Sequence, residues 1–161
     1  MMIDKLPIKY NFSSRYNYRP RFIVVHDTGN ISKGAGAINH YKYFNGGNRN
    51  ASAHFFVDDN CIVETVEVAY SSWHCGDGHG KYGITNRNSI GVEICVNSDS
   101  DIIKAKKNAR NLIRFLMNFY NIPWENVVRH YDASRKICPK SMSGNNWAEW
   151  WIFKEEIKEG I

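Results

Sequence analysis

Apolar residues fall in short runs early in this chain and at helical spacing later. Phe22-Ile23-Val24-Val25 is a β-branched run of strand length, followed by His26-Asp27-Thr28-Gly29-Asn30 as a loop. Ala53 to Val57 and Cys61 to Val66 flank the turn Asp58-Asp59-Asn60 and predict a hairpin. Ser89 to Val96 reads as a further strand, apolar around Glu93. Ala35 to Phe44 reads as a helix with Ile38, Tyr41 and Phe44 on one face and Asn45-Gly46-Gly47 as its stop. The clearest helix is Asp101 to Tyr120. There Ile102, Ala105, Ala109, Leu112, Ile113, Leu116 and Phe119 recur at helical spacing, and lysines and arginines fill the other face. A last helix starts near Asn146, with Trp147, Trp150, Trp151 and Ile157 toward the core. Residues 9–19 read as an extended arm, 71–88 as a long polar loop and 129–145 as a loop and turn. Strands mixed with helices predict an α/β fold. In open α/β sheets ligands sit beyond the C-terminal ends of strands, and His26 occupies such an end.

Composition narrows the class. A chain of 161 residues suits one domain, able to bury about two thirds of its unfolded surface. With 43% hydrophobic and 14% aromatic residues it should pack a core rather than stay disordered. The tryptophans and tyrosines also suit a groove that stacks on sugars or peptides, although each taken singly is better assigned to the core. Net charge is +5, spread along the chain without a Lys/Arg block, so no nucleic-acid arm is expected. That excess would favour approach to a polyanionic surface; a wall carrying anionic polymers and a nucleic acid both fit, and charge alone does not choose between them. The four cysteines form no CxxC pair, which points to reduced thiols and synthesis in a cytoplasm. No stretch nears the ~18 apolar residues of a membrane span. The N-terminal Met1-Met2-Ile3-Asp4-Lys5 lacks the apolar region of a signal peptide.

Candidate chemistry concentrates in Arg129-His130-Tyr131-Asp132 through Lys136-Ile137-Cys138-Pro139. His26, His130 and Cys138 make a zinc ligand set that leaves a fourth position open, as catalytic sites do. Each alone is better read as a surface histidine or a core thiol; together they favour a metal. Glu93 is the best general-base candidate, because a carboxylate in an apolar strand ionises at a cost unless paired. The rival is an exposed position on an edge strand. Lys136 is a candidate oxyanion stabiliser, and Asp132 a candidate to orient a ligand by accepting its hydrogen bond. His54 could line a cleft or sit satisfied in the core. Trp73 and His74, on the long loop, could contact substrate. His40 and His79 read as solvent-facing.

Five segments carry a resemblance. They are Phe22 to Thr28, Ser52 to Asp58, Trp73-His74-Cys75-Gly76-Asp77-Gly78, Asn88 to Ile94, and Arg129 through Pro139. In this order they resemble the zinc-dependent N-acetylmuramoyl-L-alanine amidases, a family that includes phage endolysins and is related to peptidoglycan recognition proteins. The resemblance implies a central mixed β-sheet flanked by helices, with 1–161 as a single catalytic domain whose longer parent could carry a C-terminal wall-binding domain. It implies one Zn2+ on His26, His130 and Cys138, with Glu93 as acid/base and Lys136 at the oxyanion. Some relatives carry a tyrosine just before the histidine where this chain has Ala53, so Glu93 would carry more of the proton transfer. The partner implied is bacterial peptidoglycan, bound by a monomer without membrane insertion. The protein is expected to be made in the host bacterial cytoplasm without a signal peptide and to act on the wall after release. Rival readings are a non-catalytic wall-binding module, a host autolysin, and a Cys138/His130 acyl-transfer enzyme.

Overall fold

Six strands form one mixed sheet in the computed structural model, which describes residues 2–159. In chain order the strands are β1 (Asp4–Lys5), β2 (Phe12–Ser14), β3 (Phe22–Asp27), β4 (Phe55–Val57), β5 (Ile62–Glu64), β6 (Tyr70–Ser72), β7 (Ser89–Ile94) and β8 (Val127–Arg129). The helices are α1 (Ala37–Asn45), α2 (Ile102–Tyr120), α3 (His130–Ser134) and α4 (Gly144–Lys158). The large sheet runs β1-β5-β4-β7-β3-β8, all neighbours parallel except the β4–β5 hairpin. β3 and β7 are interior strands: β3 is apolar on both faces from Phe22 to Val25, where both are covered, whereas β7 turns Ile90, Val92 and Ile94 to the core and Ser89, Gly91 and Glu93 to the other face.

Alternation along the strands sorts two faces. Ile23, Val25, Phe55, Val57, Ile90, Val92 and Ile94 pack against Leu112, Ile113 and Leu116 of α2 and Trp150 and Phe153 of α4. Each such fully buried side chain contributes roughly 1.5–3 kcal/mol. On the opposite face, α1 covers the β4–β5 side through Ala37, Phe56, Val63 and Cys95. The 71–88 segment and α3 cover the β3–β8 side through Val24, Cys75, Ile84 and Ala133. The gap between these two covers leaves part of the sheet face open.

Local chemistry fixes the helix ends. The Asp101 carboxylate accepts from the N–H groups of Ile103 and Lys104, capping α2. Asn121 turns left-handed after Tyr120, with φ 53°, and ends it. No helix among the described residues is long and apolar enough to cross a membrane.

Several expectations need correction. The 9–19 arm is tied down: β2 pairs antiparallel with β6, which runs into the first two residues of the expected 71–88 loop. Arg15 is buried and donates to the carbonyls of Val68, Asn86, Arg87 and Ser89. Phe119 is 66% exposed, because α2 rests on a narrower stripe than the apolar pattern suggested. Trp151 is half exposed and faces the Arg129 guanidinium rather than the core. The start of α4 is irregular, with left-handed backbone at Asn145, Asn146 and Trp147. His40 is half-buried, its ring stacked on Phe56. The C-terminal Gly160 and Ile161 lie outside the described residues.

Candidate active site

Strand register builds the site. His26 on β3 lies opposite Glu93 on β7, and Glu93 lies opposite Phe56 on β4. These three side chains form one row on the open face. His26 belongs to the strand rather than to the loop after it, since β3 keeps pairing with β7 as far as Asp27. Glu93 is not on an edge: β7 is flanked by β4 and β3. Val127 to Arg129 pair with β3 and deliver His130 at the first position of α3. Cys138 follows α3 and joins its carbonyl to the Tyr131 N–H.

The structure brings His26, His130 and Cys138 together, with one donor atom from each within 4.8 Å of the others, all buried. The outer ring nitrogens are spoken for. His26 Nε2 lies 3.0 Å from His74 Nδ1. His130 Nε2 lies 2.7 Å from Asp77 Oδ1. The inward nitrogens remain: His26 Nδ1 lies 3.7 Å from Cys138 Sγ, and His130 Nδ1 is buried without a partner. A buried polar atom left alone is costly, and a cation would satisfy it. Burial, with His130 and Lys136 nearby, holds His26 well below the usual histidine range. Burial also lowers His130, against the opposing pull of Asp77. Both rings are thus kept neutral, the form that ligates. Two imidazoles and a thiol, with room for a fourth group, fit zinc by donor chemistry.

Glu93 sits beside this set, Oε1 3.9 Å from His26 Nδ1, with one fifth of its side chain exposed. Its other oxygen has no partner. Burial, reinforced by Asp27, pushes its pKa up to about 8, with Lys136 pulling the other way. A bound cation would lower it. Lys136 is exposed and shares with Glu93, Trp73 and the three donors a cleft of about 320 Å³. Burial and the carboxylates of Glu93 and Asp27 push the Cys138 thiol up, which makes it a poor nucleophile without a cation.

The structure decides between the readings of His54 and adds roles for His74 and Asp132. His54 is fully buried: its Nδ1 accepts from the Gly91 N–H at 2.9 Å, and Nε2 lies 3.1 Å from the Tyr70 carbonyl and 2.7 Å from Arg15 Nη2. It is a core histidine and does not line the cleft. His74 shows one edge to the cleft, but both ring nitrogens point inward, so it supports His26. Asp132 accepts from the Arg129 backbone N–H and guanidinium and so caps α3, reaching neither ligand histidine. The carboxylate that holds His130 is Asp77, which the sequence reading passed over. Trp73 lies on the cleft rim, its Nε1–H donating to Ser13 Oγ. Ala53 is core, packed with Phe56.

Two glycines make these contacts possible. A Cβ on Gly78 would meet the Ala133 carbonyl oxygen at 2.1 Å, so only glycine lets the 76–78 turn close on α3 and bring Asp77 to His130. A Cβ on Gly91 would lie 2.6 Å from His74 Cγ, so this gap in β7 houses the His74 ring.

Comparison with known proteins shows the family. The N-acetylmuramoyl-L-alanine amidase family model matches residues 16–141. The Bacillus subtilis amidase CwlH is 42% identical over 86% of this chain and 55% of its own length. XlyA of the same organism is 40% identical over 98% of this chain and 50% of its own length. This chain therefore spans about half the length of the curated relatives it matches. The solved catalytic domain of XlyA superposes with a TM-score of 0.85 at 39% identity, covering 98% of this chain and 99% of that one. A mutant endolysin from Bacillus subtilis gives a TM-score of 0.87 at 39% identity, covering 98% of this chain and 99% of its own. On the match across residues 16–141 and the 40% identity to XlyA, the chain belongs to the N-acetylmuramoyl-L-alanine amidase family.

Proposed function

We propose that residues 1–161 form a zinc-dependent amidase domain that hydrolyses the amide between the lactyl group of N-acetylmuramic acid and L-alanine in bacterial peptidoglycan. The observation that carries this reading is the convergence of His26, His130 and Cys138 within 4.8 Å, in one cleft with the buried carboxyl of Glu93. A Zn2+ held by these three residues would polarise the carbonyl and bring the pKa of water down to about 7. Glu93 takes the proton from the attacking water and delivers it to the leaving amine of L-alanine as the C–N bond breaks. The products are a lactyl carboxylate and a free alanine amine. The Lys136 ammonium faces the oxyanion that develops on the carbonyl oxygen. His74 and Asp77 hold the two imidazoles in position, and Trp73 offers an aromatic rim for sugar or peptide.

The biological setting that best suits this chemistry is a phage or prophage endolysin. Such a protein is made in the host cytoplasm and acts as a monomer on a Gram-positive wall after release. Similarity to Bacillus amidases and to a Bacillus endolysin supports it. The experiment is Glu93→Ala on purified walls. Loss of alanine-amine release with zinc binding intact is expected; full activity would remove Glu93 from the chemistry.

A further inference from the structure

A line of hydrogen bonds runs from the backbone to the inward nitrogen of His26. The Ser89 hydroxyl, fully buried at the start of β7, lies 2.5 Å from the Thr85 carbonyl oxygen and 3.0 Å from His74 Nε2. His74 Nδ1 lies 3.0 Å from His26 Nε2, and His26 Nδ1 faces Cys138 Sγ. The direction of every bond is decided at the backbone end. A carbonyl oxygen only accepts, so the Ser89 O–H donates to Thr85. The Ser89 oxygen is left with lone pairs and accepts the His74 Nε2–H. A neutral imidazole carries one N–H, so His74 Nδ1 is an acceptor and takes the Nε2–H of His26. His26 Nδ1 is then the bare nitrogen.

The reverse polarity fails twice. Donation from Ser89 to His74 would leave two oxygens 2.5 Å apart with no proton between them. It would also put the His74 proton on Nδ1 and the His26 proton on Nδ1, where a metal needs a lone pair. The ring of His74 has little freedom to escape. The His74 backbone N–H donates to Asn86 Oδ1 at 3.0 Å, and the ring fills the space above Gly91.

We infer that Ser89 and His74 are positioning residues that lock His26 as its Nε2–H tautomer and thereby present Nδ1 for metal binding. The purpose of the relay rests on the zinc site proposed above, but the proton positions do not. The test is therefore made first on the metal-free, 15N-labelled protein. A coupling across the hydrogen bond between His26 Nε2 and His74 Nδ1 is expected, with the proton attached to His26. A proton on His74 Nδ1, or no such coupling, overturns the relay. Ser89→Ala should leave His74 in mixed tautomers and weaken zinc binding by up to about tenfold. Unchanged tautomers and unchanged zinc affinity in that variant would also overturn it. If Ser89→Ala does not fold, the coupling in the unaltered protein decides alone. Failure of the unaltered protein to bind zinc overturns the proposed function instead, whatever the proton positions.

Discussion

Removing the Asp77 carboxylate should weaken zinc binding without unfolding the protein. Its Oδ1 lies 2.7 Å from His130 Nε2, so it accepts the N–H that would otherwise be free to move to the ligating side. Partners of this kind are typically worth about 10–100-fold in metal affinity. Asp77 is 47% exposed at its side chain, so water screens its charge and the lower end applies. Asp77→Ala should therefore lose about tenfold in zinc affinity, roughly 1.4 kcal/mol. Asp77→Asn keeps an acceptor oxygen at the same place and should lose less. Competition against a chromophoric chelator near neutral pH measures both. The metal-free melting temperature should change little, since Asp77 is half exposed, water can take its place on His130 Nε2, and no charge pair is lost with a neutral His130. An Asp77→Ala protein that binds zinc as tightly as the parent would show that the imidazole is oriented by something else.

Other consequences are equally concrete. Gly91→Ala would push a methyl into the His74 ring at 2.6 Å, costing about 1–3 kcal/mol in a denaturant melt together with a loss of zinc affinity; a neutral outcome would mean the ring is not confined. For Glu93, the folded pKa of about 8 lies above the ordinary value of 4.5, so the folded metal-free state holds the proton more tightly than the unfolded one. Stability from this group is present at low pH and falls as pH rises toward 8. The neutral histidines act in the opposite sense, but only below about pH 6.5, so the window from there to 8 belongs to Glu93. In that window the metal-free protein should lose stability relative to Glu93→Gln, and parallel melting curves for the two would contradict it. Leu112→Ala should cost about 2–5 kcal/mol, whereas Phe119→Ala on the exposed side of α2 should stay within about 0.5 kcal/mol; chemical denaturation compares them.

How much of this could be read from the chain depends on whether the signal is local. The β-branched run at Phe22 and the helical spacing across Ala105 to Leu116 name their elements because burial repeats with the period of the backbone. The same logic places Glu93 inside an apolar strand and His26 just past the end of another, one step short of the β3 pairing that in fact holds it. Periodicity does not say how wide a buried stripe is, which is why the pattern points Phe119 and Trp151 inward although both lie outward. Asp77 is a different case. Its place beside His130 depends on the 76–78 turn touching Ala133, a contact between distant segments that leaves only Gly-Asp-Gly as a local trace. His54 needed knowledge of Arg15, which arrives from the N-terminal arm through pairing of β2 with β6. Asp132 looked better placed than Asp77 because it is near His130 in sequence, but the first turn of α3 claims its carboxylate.

A zinc amidase must need its metal to open the alanine amide of its own substrate. Purified Gram-positive walls are treated with the protein alone, with a chelator, and with zinc restored, while newly exposed alanine amines are counted. Amine release that the chelator abolishes and zinc restores is expected. Release that ignores the chelator, or zinc binding with no alanine amines released, would contradict it.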